Sequence, residues 1–192
     1  MSRGVANYFS LLPIYVIISQ MSLELYSEIL ADVRRNGLCP VKSLVHPDDE
    51  EVRGVAQVLA QAEDPIAAAQ EFIHSFTSYE HEKGDYWSTP RETFEREAGD
   101  CDCKAIALCS ILRNWLPADK VFCAFGNLSN GSNTGHMWLI LEGEDGEDRI
   151  IEATAPPGKP LKGRYKLMAI FNDKYVFSSP EGIKEFDLVI KE

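Results

Sequence analysis

The chain is predicted to be an α+β protein, with helices in its first half and strands in its second. Two patterns carry that prediction. Apolar residues recur at helical spacing behind cap signals as far as Trp115, and short β-rich runs divided by turn residues fill Lys120 to Ile190. A third observation sets the scale: 192 residues, 45% hydrophobic and 26% charged, suit one globular domain with a real core.

In order, Ser22 to Arg35 repeats Leu23, Leu25, Ile29, Leu30 and Val33 as a helix that stops near Gly37. Pro47 and the acidic run Asp48 to Glu51 open a second helix with Val52, Val55, Ala56, Val58 and Leu59 on its apolar side. Asp64-Pro65, a cap followed by an N1 proline, starts a third helix through Phe72, Ile73 and Phe76. His74 and His81 near it are expected to be surface or packed residues, since no acid or thiol joins them at metal spacing. Glu80 to Asp85 reads as a loop, and Thr89-Pro90 as the cap of a short helix through Phe94. Trp87 is expected in the core, with a groove-lining role as its alternative.

The next helix starts at Gly99-Asp100-Cys101-Asp102-Cys103 and carries Ala105, Leu108, Leu112 and Trp115 before Pro117. Asp100 is expected to cap it through its carboxylate. Cys101 in the first turn would meet unpaired amides and the positive end of the helix dipole, so its thiol is expected to ionise readily. Lys120 to Phe125 is β-rich, and Asn127 to Thr134 reads as a polar loop bordering the site. Gly135 to Leu141 and Arg149 to Thr154 read as a hairpin around an acidic, Gly-containing tip. With its turn centred on Glu144, His136 lies across from Glu152 on the same face. A one-residue slip would part them. A second hairpin is expected around Asn172-Asp173, and Ile183 to Ile190 as an edge strand.

Thus Cys101 is the candidate nucleophile, His136 its base and Glu152 the acid that orients the ring. A zinc site of Cys101, Cys103, Cys109 and His136 is the competing reading, but Cys-x-Cys-x5-Cys fits no common zinc spacing, and no metal or cofactor is expected. The acidic tip from Glu142 to Asp148 lacks the ligand rhythm of a calcium loop.

These same segments carry a resemblance. Trp87-Ser88-Thr89-Pro90-Arg91-Glu92-Thr93, Gly99-Asp100-Cys101-Asp102, Gly135-His136-Met137-Trp138 and Ile151-Glu152-Ala153-Thr154 resemble the transglutaminase-like cysteine-protease superfamily, in its bacterial peptidase branch. The resemblance covers about residues 70 to 155. It implies a papain-like core in which the nucleophile helix packs on an antiparallel sheet carrying histidine and acid. It also implies Cys101, His136 and Glu152 as the catalytic set, acting on a peptide or protein substrate through a thioester. Glu152 stands where the family usually has Asp, and Cys103 where many members have an acid. The alternative is the same fold serving as an inactive peptide- or protein-binding module.

A net charge of −11 disfavours nucleic acid, which would be repelled. Five cysteines, an odd number, leave a free thiol in any secreted form, so a reducing cytoplasm is the expected location. The apolar stretch Tyr8 to Ile18 makes residues 1–20 a leader or a packed segment, with 21–192 the single domain and Met21 a second candidate start. If it is a leader, export is the alternative. Pro13 interrupts it, and it falls short of the roughly 20 apolar residues of a membrane helix, so no membrane association is expected.

Overall fold

The computed structural model describes residues 41–81, 86–129, 133–143, 148–178 and 187–190. Residues 1–40, including the expected Ser22–Arg35 helix and the apolar segment before it, lie outside them.

Local signals explain the first three helices. In α1 (Glu50–Leu59) the Asp49 carboxylate accepts from the Glu51 and Val52 amides. Asp64 accepts from the Ala67 amide to start α2 (Pro65–Phe76), with Pro65 in the first turn. Thr89 and Glu92 form a reciprocal capping box on α3 (Pro90–Arg96). Val52 and Ala56 are buried, whereas Val58, expected on the same side, is 72% exposed. Two residues past Ala56 is about 200° around the helix, which turns Val58 away from the core.

Helix α4 (Cys101–Leu112) is the centre of the molecule, buried on every side from Asp102 to Leu112. A helix apolar all round belongs inside a core. It stops at Leu112, short of Trp115, with Arg113 as its C-cap. Its one long charged side chain, Lys104, is buried and donates from Nζ to Thr77 O at 2.6 Å, tying α4 to the end of α2. Burial lowers the Lys104 pKa.

Two short strands, β1 (Ser78–Tyr79) and β2 (Ala98–Gly99), pair in parallel and deliver the chain to Cys101. The main sheet is antiparallel. Its strands are β3 (Val121–Ser129), β4 (Asn133–Glu142), β5 (Asp148–Ile151), β6 (Gly163–Phe171), β7 (Val176–Ser178) and β8 (Asp187–Ile190). The order is β5-β4-β3-β6-β7, with β8 also on β6. The expected polar loop from Asn127 to Thr134 is instead mostly ladder, because β3 pairs with β4 out to Ser129 opposite Asn133. Asn172 turns β6 into β7: its Oδ1 accepts from the Lys174 and Tyr175 amides, and its Nδ2 donates to Ala118 O and Val121 O. The pair Arg113–Asp173, at 2.6 Å, joins that turn to the end of α4.

Pleating divides the sheet. Val121, Cys123, Met137, Leu139, Leu141 and Phe171 pack on the helices, while Phe122, Ala124, Trp138, Ile140, Tyr165 and Ile170 form a second cluster on the opposite face. Helices on one side of an antiparallel sheet make the predicted α+β arrangement, with the cysteine-bearing helix packed against β3 and β4, the strand that carries His136. This is the layer arrangement that the resemblance in the sequence implies.

Candidate active site

Cys101 sits at the first position of α4, and its place depends on Gly99. A Cβ at Gly99 would stand 2.6 Å from Cys103 Cβ, so only glycine lets the helix start fold back this closely over β2. Asp100 is the N-cap by backbone, but its side chain makes no cap hydrogen bond, contrary to expectation. Its Oδ1 is buried without a hydrogen-bond partner among the described residues.

The sheet meets Cys101 where β5 runs out. Strand β5 covers β4 only from Leu139 to Glu142, which leaves the edge at His136 and Met137 clear of it. There the backbone N–H of Met137 donates to the Cys101 sulfur. His136 shares a face with Trp138, on which its ring stacks at 6.0 Å, and reaches the cleft at the same edge. Cys101 and His136 line one cavity of about 220 Å³, with Tyr79, His81, Trp87, Phe125 and Met137 among its walls.

Glu152 follows the last residue of β5. The hairpin is centred on 145 rather than 144, as Glu142 pairs with Asp148 and Leu139 with Ile151. His136 and Glu152 are therefore diagonal neighbours, not directly opposed. A register difference of two residues preserves the face, and the side chains meet: His136 Nε2 lies 3.1 Å from both Glu152 oxygens. Glu152 is fully buried. Tyr165 donates to its Oε1 at 2.6 Å and Thr154 to its Oε2 at 3.2 Å. From α2, buried Gln70 donates to the carbonyls of Glu152 and Ala155, pinning the turn. With Nε2 occupied by the carboxylate, Nδ1 is the ring nitrogen left for a thiol.

The electrostatics of the sulfur run against the sequence expectation. Burial, then the carboxylates of Asp102 and Asp100, push the Cys101 thiol from 9.0 up to about 12, opposed by the Met137 amide. The helix start does not outweigh two adjacent acids in a partly dry site. The same groups act on Tyr79 at the cleft mouth, where burial and then the charges of Cys101, Asp100 and Asp102 raise the phenol to about 12.

The remaining candidates resolve by position. Trp87 is buried in the core, stacked on Phe171, and also forms part of the cleft wall. Cys103 is buried against Gly99 and Asp102 and does not line the cleft. Cys109 lies two helical turns beyond Cys101 and contacts Cys123, so the zinc set of Cys101, Cys103, Cys109 and His136 is not assembled. Among the described residues the group with metal-ligating atoms close together is Asp100, Asp102 and Cys103, within 4.8 Å of one another. Residues 144–147 of the acidic tip lie outside the described residues. His81 reaches the cleft mouth, edge-on to Tyr79 at 5.1 Å, a placement its sequence position did not signal. Gln70 carried a readable signal, as a polar residue on the apolar face of a helix. Tyr165 carried none.

Cys101 at the start of α4 and His136, paired with the Glu152 carboxylate, thus border one cleft. No protein-family model and no curated protein matches the chain. Among solved structures it is similar to calcium-bound LapG of Legionella pneumophila (TM-score 0.47, 21% identity, covering 71% of this chain and 83% of that one). It is also similar to another structure of LapG (TM-score 0.47, 20% identity, 76% and 88% covered). A third is a candidate cysteine protease of Cytophaga hutchinsonii (TM-score 0.44, 20% identity), of which the chain spans 38% while 58% of this chain is covered. What Cys101, His136 and Glu152 do here rests on this chain's own geometry. No helix among the described residues is long and apolar enough to cross a membrane.

Proposed function

We propose that the protein is a thiol-dependent acyl-transfer enzyme acting on peptide or carboxamide bonds, with Cys101 as nucleophile, His136 as general base and Glu152 as orienting acid. The observation that carries this reading is the buried Glu152 carboxylate holding His136 Nε2 at 3.1 Å beside the cleft that Cys101 lines. Because the resting thiol is held protonated, proton transfer accompanies attack. His136 Nδ1 takes the thiol proton as sulfur bonds to the carbonyl carbon, and Glu152 stabilises the imidazolium that forms. Amides of the first turn of α4, that of Cys101 among them, are the donors for the oxyanion. The C–N bond breaks as the amine takes the proton from Nδ1, leaving a thioester. Water, losing a proton to Nδ1, then releases the acid and the free thiol. In this reading hydrolysis takes precedence over transfer to a second amine.

The test is to trap the acyl-enzyme from a peptide library by acid quench and to locate the adduct by mass spectrometry. The expected adduct is on Cys101 and is absent from Cys101→Ala and His136→Ala. An adduct on another cysteine would overturn the assignment, and a dansylated product in the presence of a dansyl amine would place transfer ahead of hydrolysis. The raised thiol pKa favours a second reading, a peptide-binding module with this fold. Tight peptide binding with no adduct in any variant would establish it.

A further inference from the structure

We propose that Tyr165 is a positioning residue of this site, its buried hydroxyl fixing the Glu152 carboxylate so that both oxygens face His136 Nε2. The inference rests on the proposed roles of His136 and Glu152. Glutamate brings one more rotatable bond than aspartate, and its terminal torsion is broad and roughly two-fold. A carboxylate held only by the imidazole would be free to turn. Here each oxygen has its own hydroxyl, Tyr165 on Oε1 at 2.6 Å and Thr154 on Oε2 at 3.2 Å, and the imidazole stands 3.1 Å from both. The Tyr165 contact is the shorter. It also comes from β6, a strand held on one side by β3 and on the other by β8 at this position.

The tyrosine is itself immobilised. It is 1% exposed, and its ring meets Trp138 edge-on at 5.1 Å, while Trp138 stacks on His136. Tyr165, Trp138, His136 and Glu152 thus close a ring of contacts on the sheet face away from the helices. The phenol lies within reach of a second acceptor, Leu161 O at 3.1 Å, so its proton has one alternative. A carboxylate is the stronger acceptor, and the shorter distance is to it. Burial and the adjacent carboxylate push the phenol pKa above its ordinary range, so Tyr165 stays a donor across the working pH.

The experiment is proton NMR of the His136 Nε2–H, whose bond to a buried carboxylate places it far downfield. Its exchange with water is measured by saturation transfer. In Tyr165→Phe, which keeps the ring, exchange should quicken by about tenfold and the resonance move upfield, as one hydrogen bond to a charged group is lost. Thr154→Val should do the same to a smaller degree, and Glu152→Gln should abolish the signal. An unchanged shift and exchange rate in Tyr165→Phe would overturn the proposal, as would absence of the signal from the wild type. If Tyr165→Phe fails to fold, 3-fluorotyrosine at position 165 keeps the hydroxyl and makes it more acidic. A displaced resonance then supports the proposal, and an unmoved one overturns it. The measurement requires no turnover and is repeated on Cys101→Ala. Failure of Cys101 as nucleophile therefore leaves the outcome for Tyr165 readable.

Discussion

Alkylation of Cys101 by iodoacetamide should be slow at neutral pH and rise tenfold per pH unit into the alkaline range. Burial and the charges of Asp102 and Asp100 hold the thiol at about 12 instead of 9.0. Those three units lower the thiolate fraction near neutrality by roughly 10³-fold. A more basic thiolate is also a better nucleophile, and a Brønsted slope near 0.4–0.5 over the same interval returns a factor of about 20. The net expectation is a rate about 50-fold below that of an exposed thiol. The assay follows the Cys101 peptide by mass spectrometry in quenched time courses from about pH 6 to about pH 11. Asp102→Asn removes the larger of the two charge effects, so its profile should move to lower pH. A wild-type rate that stays flat down to about pH 5 would refute the reasoning. It would mean that a preformed thiolate–imidazolium pair outweighs both acids and the burial, and that catalysis starts from an ion pair.

Other variants test the surroundings. Glu152→Gln should lower kcat by about 10²–10⁴-fold on any peptide found by acyl trapping, with the thermal midpoint near that of the wild type; unchanged turnover would remove Glu152 from the mechanism. Gly99→Ala should destabilise by about 1–3 kcal/mol, because its new methyl overlaps Cys103 Cβ. Adding Cys103→Ala should not restore stability in denaturant melts, since the clashing atom remains. Arg113→Ala leaves Asp173 nearly buried with Lys174 at 3.2 Å as its remaining cation among the described residues, and should cost about 3 kcal/mol. Burial raises the Asp173 pKa, but Arg113 and Lys174 outweigh it and leave the carboxyl lowered. Its contribution is therefore present above the ordinary 3.8 and lost as pH falls through the lowered value, a loss that should shrink in Arg113→Ala acid titrations.

The parts of this protein that were legible in its sequence are those decided by near neighbours. Asp64-Pro65 and Thr89-Pro90 mark helix starts on the cap-then-proline pattern, because the capping donor and acceptor lie within one turn. That His136 and Glu152 share a face also survived a hairpin centred one residue later than expected, since pleat parity depends only on an even offset. The extent of β3 and β4 was not legible. Asn127, Ser129, Asn133 and Thr134 look like a loop, yet each is paired in the ladder. Nor was the state of the Cys101 thiol, which is set by burial and by the charges of Asp102, Asp100 and, least, Glu152, against the Met137 amide, rather than by its place in a helix. Tyr165 reaches Glu152 only through the order of strands across the sheet, which no local pattern encodes.

That order bears on Glu152, one of the two positions where this sequence departs from the pattern it resembles. A carboxylate directly opposite a histidine can be short; one diagonal to it has further to reach. In this hairpin Glu152 is diagonal to His136, and its extra methylene spans the difference. Glu152→Asp withdraws the carboxylate by roughly one carbon–carbon bond, about 1.5 Å. From 3.1 Å that carries both oxygens beyond hydrogen-bond range of Nε2, and Oε1 away from the Tyr165 hydroxyl. The conservative change should therefore weaken the site almost as much as Glu152→Gln, in kcat and in the Nε2–H resonance alike. If Glu152→Asp keeps both, either the turn bearing residue 152 can close the gap against the grip of Gln70, or the diagonal register is not what calls for glutamate. The Gln70→Leu, Glu152→Asp double variant separates the two: freeing the turn should restore the contact only if Gln70 is what holds it back.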